Sequence, residues 1–433
     1  GLGDVYKRQL YIIPYVPYPL TSGGNQAFFH MIDYLRDKMD ISILLYPINK
    51  AQESDVEELK KLWDNVDFYV FTESMKDPEV RNPFYYKWLK KARLSVKRKM
   101  RRQLLVEDKW DIARNRSTLF VSNFKPLHKK YVRFISKVVK QGFDIIQVEF
   151  YELISLGYLL PEDVQTVFVH HELRYVRNEN EMLLFNQVND EERMLFRIAK
   201  NFERSALQSF KHIIALTETD RQLLTGFVGR EKRIYASPAV VQMIAGEEGK
   251  FVPATRRLTF IGSEDHYPNL DAVMWFCKEI APRLRKKGAS FAFQVIGKWH
   301  TVYAKKLSDS CPELEFVGYI EDLHAFLQGS VSVVPVRIGS GMRMKILDAI
   351  SSRIPVVTTT KGVEGIDLRD GEECLKADSA DEFVDTIIRL LGDVNLQEKL
   401  VNQADYRLRQ LYNPQKMLDR RLEIYNQILA DKG

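Results

Sequence analysis

Cysteine is scarce in this sequence, and the cysteines present are too far apart for the sites that usually depend on them. Cys277, Cys311 and Cys374 stand alone among 433 residues, and no CxxC pair occurs. A sparse, odd set argues against a disulfide framework and against a structural zinc site. We therefore expect a protein of the reducing cytoplasm.

Long apolar runs and several familiar catalytic motifs are also missing. No stretch approaches the roughly 20 apolar residues that span a bilayer, and the first candidate, residues 10–16, contains Pro14. We therefore expect neither a transmembrane helix nor a signal peptide. The sequence has no P-loop, HExxH or GxSxG motif, which argues against P-loop NTPases, zinc proteases and serine hydrolases of the common types.

The composition is that of a globular protein large enough for two cores. Hydrophobic residues make up 45% and charged residues 28% of the chain, as in soluble proteins, and 433 residues exceed the length of one ordinary core. Apolar runs of strand length alternate with amphipathic runs of helix length. This alternation predicts βαβ units and an α/β fold with two doubly wound, Rossmann-like domains.

The domain boundaries follow from breaks in this alternation. It weakens near residues 237–257, so we assign residues 10–237 to an N-terminal domain and residues 238–413 to a C-terminal domain. A last helical segment, residues 414–433, follows the second sheet, and we expect it to pack back on the first domain. Residues 1–9 show no periodicity, and their run DVYKRQ matches a translated transposon-end adapter. We interpret them as an artefact, exclude them from the fold, and expect the true opening residues to be missing.

Positive charge is concentrated in an insertion of the first domain, about residues 81–140. The insertion has 19 Lys or Arg residues against three acidic residues, in a chain whose net charge is +6. Within it, residues 87–104 have an apolar residue at every fourth position among basic residues, which predicts a basic amphipathic helix. Such a helix suits an anionic membrane surface. A solvated helix packed on the domain and a polyanion-binding segment are the alternatives, and we expect no nucleic-acid partner because no recognised module surrounds it.

A segment near residue 340 has the pattern of a diphosphate site. A turn with Gly339, Ser340 and Gly341 follows a buried strand, and we predict that a helix begins near Met342. The N–H groups at the start of a helix bind phosphate groups, although a plain tight turn explains the glycines equally well. Next to this turn, Arg343 and Lys345 supply cationic donors, and Asp348 can accept hydrogen bonds from ribose hydroxyls on the same helix face.

This segment resembles the donor-site signature of the retaining glycosyltransferases of family 4, or glycosyl transferases group 1. That family has the GT-B fold, in which two Rossmann-like domains face a central cleft. The resemblance rests mainly on residues 339–359 (GSGMRMKILDAISSRIPVVTT) and on Glu364 and Gly365. Weaker matches follow in the family's order at residues 17–24 (with Gly23 and Gly24), 260–269 (with Gly262) and 317–323.

The resemblance assigns roles to individual residues and also shows two departures. It implies that the nucleotide sugar is bound by Gly23, Gly24, Gly262, Gly339, Ser340, Gly341, Asp348, Glu364 and Gly365. Ser340 and Asp348 stand where the family usually has two glutamates, so Asp348 can still hold ribose, whereas Ser340 lacks the carboxylate that helps to hold the sugar. The Arg and Lys that many members carry after the first donor-domain strand are not evident in residues 263–266.

Two histidines are the candidates for a group that faces the donor sugar. His170 and His171 end the predicted strand TVFVHH, at the edge where parallel sheets bind their ligands. The resemblance implies that one of them acts in catalysis with Arg343 and Lys345, and we favour His171; the alternative is a histidine satisfied in the core or at the surface. Two further sets of carboxylates are noted: Glu149 and Glu152 as acceptor-binding or plain surface residues, and Glu203 as a support of the histidine loop.

The resemblance implies a hexosyltransferase-type enzyme that moves a sugar from a nucleotide diphosphate donor to a glycan or lipid-linked acceptor. It further implies retention of the anomeric configuration and a place in bacterial polysaccharide or glycoconjugate synthesis. Because no Asp-x-Asp pair is present and cationic side chains can neutralise the leaving group, we expect no metal and no other cofactor. We expect the protein in the cytoplasm, peripheral at the inner face of the membrane. The alternatives are an inactive GT-B scaffold, a polyanion-binding protein and another GT-B chemistry such as sugar-nucleotide epimerisation.

Overall fold

A computed structural model of the chain describes residues 7–20, 23–76, 117–185, 187–241 and 251–431. The predicted helix 87–104 and most of the basic insertion lie outside these residues. The described chain forms two parallel β-sheets flanked by helices, as the alternating runs predicted.

The first sheet has seven parallel strands in the order β3-β2-β1-β4-β5-β6-β7, so the strand order reverses between β1 and β4. The strands are β1 (Arg8–Ile12), β2 (Asp40–Leu45), β3 (Asp67–Val70), β4 (Ile145–Glu149), β5 (Gln165–His170), β6 (His212–Ala215) and β7 (Arg233–Ala236). The helices that connect them are α1 (Gly23–Leu35), α2 (Lys50–Leu62), α3 (Lys129–Val138), α4 (Arg174–Leu184), α5 (Asp190–Gln208) and α6 (Glu218–Val228). Short 3₁₀ segments lie at Glu73–Met75, Thr118–Val121 and Tyr151–Tyr158.

The first sheet differs from the prediction in its first strand along the chain, β1, and in its last, β7. Arg8 and Gln9, which we excluded with residues 1–9, are the first two residues of β1. Gln9 is fully buried, and its Nε2 lies 3.5 Å from Oε1 of Gln147 on β4. A buried polar residue interrupts the apolar pattern, which is why the pattern starts two residues late. The seventh strand, β7, was not predicted because it is short and half exposed.

The basic insertion ends earlier than charge alone predicted. Residues 117–140 contain α3, which is an ordinary crossover helix between β3 and β4. Tyr131, Ile135 and Val138 on α3 are buried against the domain. Its opposite side exposes Lys129, Arg133 and Lys137, and Lys140 follows them. Because these exposed residues are basic, a count of charges assigns α3 to the insertion, although it belongs to the regular α/β pattern.

The second sheet has six parallel strands in the order β10-β9-β8-β11-β12-β13. They are β8 (Arg257–Ile261), β9 (Ala292–Ile296), β10 (Leu314–Gly318), β11 (Val331–Val334), β12 (Val356–Thr358) and β13 (Leu375–Lys376). Its helices are α7 (Tyr267–Trp275), α8 (Ala281–Lys286), α9 (Val302–Ser310), α10 (Leu323–Leu327), α11 (Met344–Ser351), α12 (Ala380–Gly392) and α13 (Val394–Leu411). A π-helical turn at Phe276–Ile280 joins α7 to α8. Helix α11 begins at Met344, two residues later than predicted, because the preceding turn is bound to the first domain.

The last helix, α14 (Pro414–Ala430), returns from the second domain to the first. Arg421 on α14 donates from Nε to Oγ of Ser237, 2.7 Å away, just after the first sheet ends. Ile424 and Ile428 of the same helix are fully buried in an apolar core that continues into the second domain. Each such side chain contributes roughly 1.5–3 kcal/mol of burial free energy. The two domains therefore share part of one core. In the described part of the chain, no helix combines the length and the apolar character needed to cross a membrane.

Candidate active site

A cleft of about 1120 Å³ lies between the two domains. The carboxyl ends of strands from both sheets border it, and this is where parallel α/β sheets bind their ligands. Many of the residues singled out from the sequence meet there: Gly23, His170, His171, Gly262, Ser340, Arg343, Lys345 and Asp348.

Five other predicted binding residues do not line this cleft: Gly24, Glu364 and Gly365, and the two glycines of the turn before α11, Gly339 and Gly341. Gly24 borders an apolar cavity of about 170 Å³ next to it. Glu364 and Gly365 border a separate cavity of about 680 Å³, where Lys361 donates to the Glu364 carboxylate at 2.5 Å. Gly365 has a φ of +82°, and an added Cβ would lie 2.8 Å from Cγ2 of Thr217 in the first domain. Glu364 and Gly365 are therefore part of a domain contact and not of the cleft to which the resemblance assigned them.

Arg343 brings an incompletely paired positive charge to the cleft. Its Nη1 donates to the carbonyl oxygens of Ser340 and Gly341. Its Nε and Nη2 are buried and have no hydrogen-bond partner within the described part of the chain. Buried polar groups are nearly always paired, because an unpaired one has lost its water without compensation. Burial lowers the pKa of Arg343, although Glu172 and Asp220 oppose this effect. The N–H bonds of these two nitrogens mark a position for an anion.

Lys345 and Asp348 extend this charged site along α11. Lys345 Nζ donates to Oδ1 of Asn269 at 2.5 Å and lies 4.2 Å from the centre of the Phe260 ring. Burial in the cleft, and then the charge of Arg343, lower the pKa of Lys345 to about 7. Burial raises the pKa of Asp348 to about 7, although Lys345 opposes the rise. Both groups therefore change charge near neutral pH, which is frequent at functional sites.

The glycine turn before α11 joins the two domains. The sequence predicts that Gly339 and Gly341 offer their N–H groups to a phosphate. In the structure, the N–H of Gly339 donates to Oδ1 of Asn180 and the N–H of Gly341 donates to Oδ2 of Asp220, each at 3.1 Å. Both acceptors belong to the first domain. These N–H groups are therefore engaged in the domain contact, and the cationic side chains are left as the anion site.

Ser340 takes part in the same contact. Its side chain is buried, and its hydroxyl accepts the backbone N–H of Leu173 at 2.7 Å. The hydroxyl thus holds the loop that follows β5, where a carboxylate in the family pattern would face the sugar. Sequence reasoning missed the acceptors Asn180 and Asp220. The side chain of Thr217 accepts the N–H of Asp220, a helix-start pattern that the sequence does show, but nothing in it indicates a partner 121 residues away.

His171 lies at the cleft with 30% of its side chain exposed, and two contacts fix its ring. Its Nε2 is 2.8 Å from Oε2 of Glu149, and the ring stacks on Phe150 with 4.0 Å between centroids and 8° between planes. Phe150 has a φ of +70°, a conformation that costs roughly 1–3 kcal/mol and is retained where surrounding contacts demand it. Glu149 is buried, so it orients His171 and is not exposed to an acceptor.

His170 has a different environment. Its Nε2 is 2.8 Å from Oε1 of Glu203, and both side chains are 1% exposed. The Glu203 carboxylate also accepts the backbone N–H groups of Arg174 and Tyr175, at 2.9 and 2.7 Å. Glu203 therefore anchors the loop after β5 on α5, and the buried imidazole of His170 contacts the same carboxylate. Glu152 is exposed at the rim of the cleft, 3.4 Å from Nη2 of Arg174.

The cleft contains a further carboxylate that the sequence did not assign. Glu172 lies 2.9 Å from Nη1 of Arg177 and 3.4 Å from Nε2 of His266 on the second domain. Burial by itself raises the pKa of Glu172, but Arg177 and His266 outweigh burial and hold the pKa well below its usual range. Glu172 thus places a negative charge close to Arg343.

The chemistry of the cleft is divided between the domains. The second domain supplies the cations Arg343 and Lys345 and the carboxyl group of Asp348, which suit a diphosphate and a pair of sugar hydroxyls. The first domain supplies His171 across from them. Fixed cationic donors of this kind stabilise negative charge that develops on a departing phosphate.

Comparisons with known proteins bear on the second domain and on the fold of the whole chain. Residues 255–393, most of the second domain, match the family model described as "Glycosyl transferases group 1". An uncharacterized 44.6 kDa protein in the cps region of Klebsiella pneumoniae is 22% identical over 166 residues, which are 36% of this chain and 43% of that protein. The matched part therefore spans less than half the length of that relative.

Solved structures are similar over almost the whole chain. The crystal structure of TarM matches with a TM-score of 0.65 at 13% identity, covering 97% of this chain and 99% of TarM. Sucrose-phosphate synthase from Thermosynechococcus elongatus matches with a TM-score of 0.64 at 13% identity, covering 98% of this chain and all of that one. A variant of S. aureus TarM was solved in complex with UDP, Fondaparinux and alpha-GlcNAc-glycerol. The chain therefore has the GT-B fold, and its second domain matches the model of glycosyl transferases group 1.

Proposed function

We propose that this chain is a glycosyltransferase that moves a hexosyl group from a nucleoside diphosphate donor to an acceptor hydroxyl. The match of its second domain to a glycosyltransferase family model supports sugar transfer. The observation that carries the proposal is the pair of guanidinium nitrogens of Arg343 that find no partner among the described residues, beside Lys345 and Asp348 in the cleft. A diphosphate supplies the acceptors that these donors lack, and a ribose supplies hydroxyls for Asp348.

The proposed reaction is a transfer at the anomeric carbon. The bond from that carbon to the diphosphate breaks, its electron pair stays on the phosphate oxygen, and a bond to the acceptor oxygen forms. Arg343 and Lys345 stabilise the charge that develops on the diphosphate, so the proposal includes no metal. The acceptor attacks from the face that the phosphate leaves, and the anomeric configuration is retained. On that face the departing phosphate oxygen is the nearest base for the acceptor proton.

We place the reaction in the synthesis of a bacterial polysaccharide or glycoconjugate, with a glycan or lipid-linked acceptor. The relative in the cps region of Klebsiella pneumoniae supports this assignment. The UDP bound to the variant of S. aureus TarM makes a uridine donor the first to test.

We also propose that the enzyme works at the anionic inner surface of the membrane. The predicted helix 87–104 lies outside the described residues, so the argument uses the described end of the same basic region. Residues 117–143 contain no acidic residue. They expose a basic stripe along α3, which consists of Lys129, Arg133, Lys137 and Lys140. They also expose the apolar side chains of Phe120, Val121 and Phe124. Val121 borders the cleft, so a membrane contact at this surface would present the cleft to a lipid-linked acceptor.

One observation favours a second candidate, a GT-B scaffold that binds a nucleotide without transferring sugar. The hydroxyl of Ser340 is bound to the backbone of Leu173 and so does not replace the carboxylate of the family pattern. Loss of that carboxylate would weaken the hold on the sugar and leave the nucleotide site intact. Nucleotide binding and sugar transfer must therefore be measured separately.

The first experiment is calorimetric titration of the full chain with UDP, GDP and ADP. The full chain is used because Arg8 and Gln9 belong to β1. We expect one nucleotide to bind, and we expect the double variant Arg343→Ala/Lys345→Ala to bind it about 100-fold more weakly. The estimate follows from roughly 1.5–3 kcal/mol for each charge-assisted hydrogen bond. The control Lys305→Ala/Lys306→Ala removes two exposed cations from α9 and should bind normally.

Transfer is then tested with the donor that the calorimetry selects. An NMR spectrum of the first product, recorded before any anomer exchange, shows whether the donor configuration is retained. Equal nucleotide affinity in the two double variants would contradict the proposed donor site. Normal nucleotide binding without transfer to any glycan or lipid-linked acceptor would favour the non-catalytic scaffold.

A further inference from the structure

A buried chain of hydrogen bonds runs through the centre of the first domain. Tyr11 on β1 donates from its hydroxyl to that of Tyr425 on α14, at 3.3 Å. The Tyr425 hydroxyl donates to Oε1 of Gln147 on β4, at 2.7 Å. Gln147 donates from Nε2 to Oε1 of Glu149 at 2.6 Å, and Oε2 of Glu149 lies 2.8 Å from Nε2 of His171. The chain thus connects the C-terminal helix with the histidine at the cleft.

The direction of these hydrogen bonds is fixed by their chemistry. An ionised Glu149 can only accept, so it receives one N–H from Gln147 and one from His171. Because the amide oxygen of Gln147 receives the Tyr425 hydroxyl, the amide nitrogen must face Glu149. All donors therefore point towards one carboxylate. Tyr11, Gln147 and Tyr425 are fully buried, and Glu149 is 2% exposed. Hydrogen bonds that are aligned and shielded from water strengthen one another.

The orientation of Glu149 determines the state of His171. A carboxylate bound to Nε2 keeps the hydrogen of a neutral imidazole on that nitrogen and leaves Nδ1 as the acceptor. Nδ1 has no hydrogen-bond partner in the ranges that the structure describes. Stacking on Phe150 fixes the plane of the ring but not its tautomer, so the tautomer depends on Glu149.

We propose that Gln147 and Tyr425 are positioning residues for His171, and that α14 acts on the cleft through them. This inference rests on the proposed function in one respect, namely that His171 faces the donor sugar. Gln147 and Tyr425 do not touch the substrate. They hold the Glu149 carboxylate in the orientation that keeps His171 in one tautomer and one ring position.

The test uses NMR of the full chain with ¹⁵N-labelled histidine, in which the His171→Gln variant assigns the signal among eight histidines. Two variants interrupt the chain. Gln147→Met removes the hydrogen bonds of the amide to Tyr425 and Glu149, together with the longer one from Gln9, at nearly the same volume. Tyr425→Phe removes a single oxygen atom and leaves the contact between Gln9 and Gln147 in place. The matched control is Tyr131→Phe, since the Tyr131 hydroxyl is buried in the same domain and has no partner within the described ranges.

In the wild type and in Tyr131→Phe, we expect the ring nitrogens of His171 to show a single tautomer with hydrogen on Nε2. In Gln147→Met and in Tyr425→Phe, we expect their shifts to move towards the average of two tautomers. In the transfer assay, kcat should fall roughly ten- to hundred-fold while the KM of the donor stays within about twofold, as for a misplaced reacting group.

Unchanged His171 signals in both variants would overturn the inference, whatever the activity. Tyr425→Phe keeps the test decisive if Gln147→Met does not fold. If the wild type transfers no sugar, the proposed function fails, and the NMR comparison still decides whether the hydrogen-bond chain sets the tautomer.

Discussion

At the scale of single residues, the second-domain side of the cleft carries charged side chains that are largely removed from water. Two guanidinium nitrogens of Arg343 are unpaired within the part of the chain that the structure describes. Burial moves the pKa values of Lys345 and Asp348 to about 7 from opposite directions. At pH 7 the site therefore exchanges protons easily. An anion that binds there favours the protonated form of both groups, because protonation adds positive charge at Lys345 and removes negative charge at Asp348.

This coupling predicts a pH-dependent nucleotide affinity. Binding of the diphosphate raises the pKa of Lys345, so above pH 7 the complex must take up a proton that the free protein lacks. We expect the affinity to fall as pH rises from 7 to 9, by up to about tenfold per pH unit. Calorimetry in buffers of different ionisation enthalpy measures the proton uptake directly.

Two variants separate the contributions to this dependence. Lys345→Arg keeps its charge throughout the range and should bind with a much flatter pH profile. Asp348→Asn removes the contribution of the carboxyl group and should keep the dependence on Lys345. A profile in Lys345→Arg as steep as in the wild type would show that another group takes up the proton.

At the scale of elements, the turn before α11 is shaped by the neighbouring domain. Gly341 has a φ of +83°, and an added Cβ would lie 2.3 Å from the carbonyl oxygen of His171. The absence of a side chain allows the turn to approach the end of β5, and the N–H of Gly341 then reaches Asp220. The same turn carries Arg343, so the domain contact also positions the anion site.

We expect Gly341→Ala to be far more harmful than an alanine at a glycine of similar conformation. Gly371 has a φ of +75° and open space around its Cα, so Gly371→Ala should cost only the roughly 1–2 kcal/mol of a left-handed alanine. Gly341→Ala has the same conformational cost. In addition, its Cβ would overlap the carbonyl oxygen of His171, so the backbone there must move. We expect the additional cost to be about 1–3 kcal/mol, as for other overpacked sites.

Scanning calorimetry of the two variants measures this difference, and nucleotide titration shows its consequence. Gly341→Ala should unfold at a lower temperature than Gly371→Ala and should bind the nucleotide more weakly. Equal unfolding temperatures would mean that, in solution, Gly341 does not lie as close to the backbone of His171 as it does in this structure.

The same elements show which features the sequence could predict. Most of the strands described contain apolar runs, so both parallel sheets and the position of α11 follow from periodicity. The early start of β1 does not, since Gln9 is polar and is satisfied by Gln147 on another strand. Arg343, Lys345 and Asp348 were identified from their spacing along one helix. The partners of Gly339 and Gly341 were not, because their acceptors are 159 and 121 residues away in sequence.

At the scale of the whole molecule, two features matter for the cleft: the two domains share a core, and the basic residues are concentrated in one region of the first domain. Helix α14 links the two domains through Arg421 and buried apolar residues. The net charge of +6 is the balance of a strongly basic region and a remainder that is acidic. The exposed Phe120 and Phe124 flank Val121, which borders the cleft, and the basic stripe on α3 follows them in the chain.

This arrangement predicts binding to anionic vesicles. Replacing the four residues of the basic stripe by serine (Lys129→Ser, Arg133→Ser, Lys137→Ser and Lys140→Ser) should weaken binding at least about tenfold, since each basic residue near the headgroups contributes roughly 1 kcal/mol before screening. Cosedimentation with phosphatidylcholine vesicles that contain phosphatidylglycerol measures the partition coefficient. Vesicles of phosphatidylcholine alone should bind little protein, and raising the salt concentration should release the protein that is bound.

A matched control separates the position of the charges from their number. The variant Lys286→Ser/Lys305→Ser/Lys306→Ser/Lys399→Ser removes four exposed cations from the second domain and changes the net charge by the same amount. If the basic stripe faces the membrane, this control should bind vesicles almost as the wild type does, because its cations lie away from that surface. Equal losses in the two variants would show that net charge alone causes the attraction, and the orientation that brings Val121 and the cleft to the membrane would have to be abandoned. Unequal losses in the expected order, with nucleotide affinity unchanged in both variants, would place the acceptor entrance at the lipid headgroups.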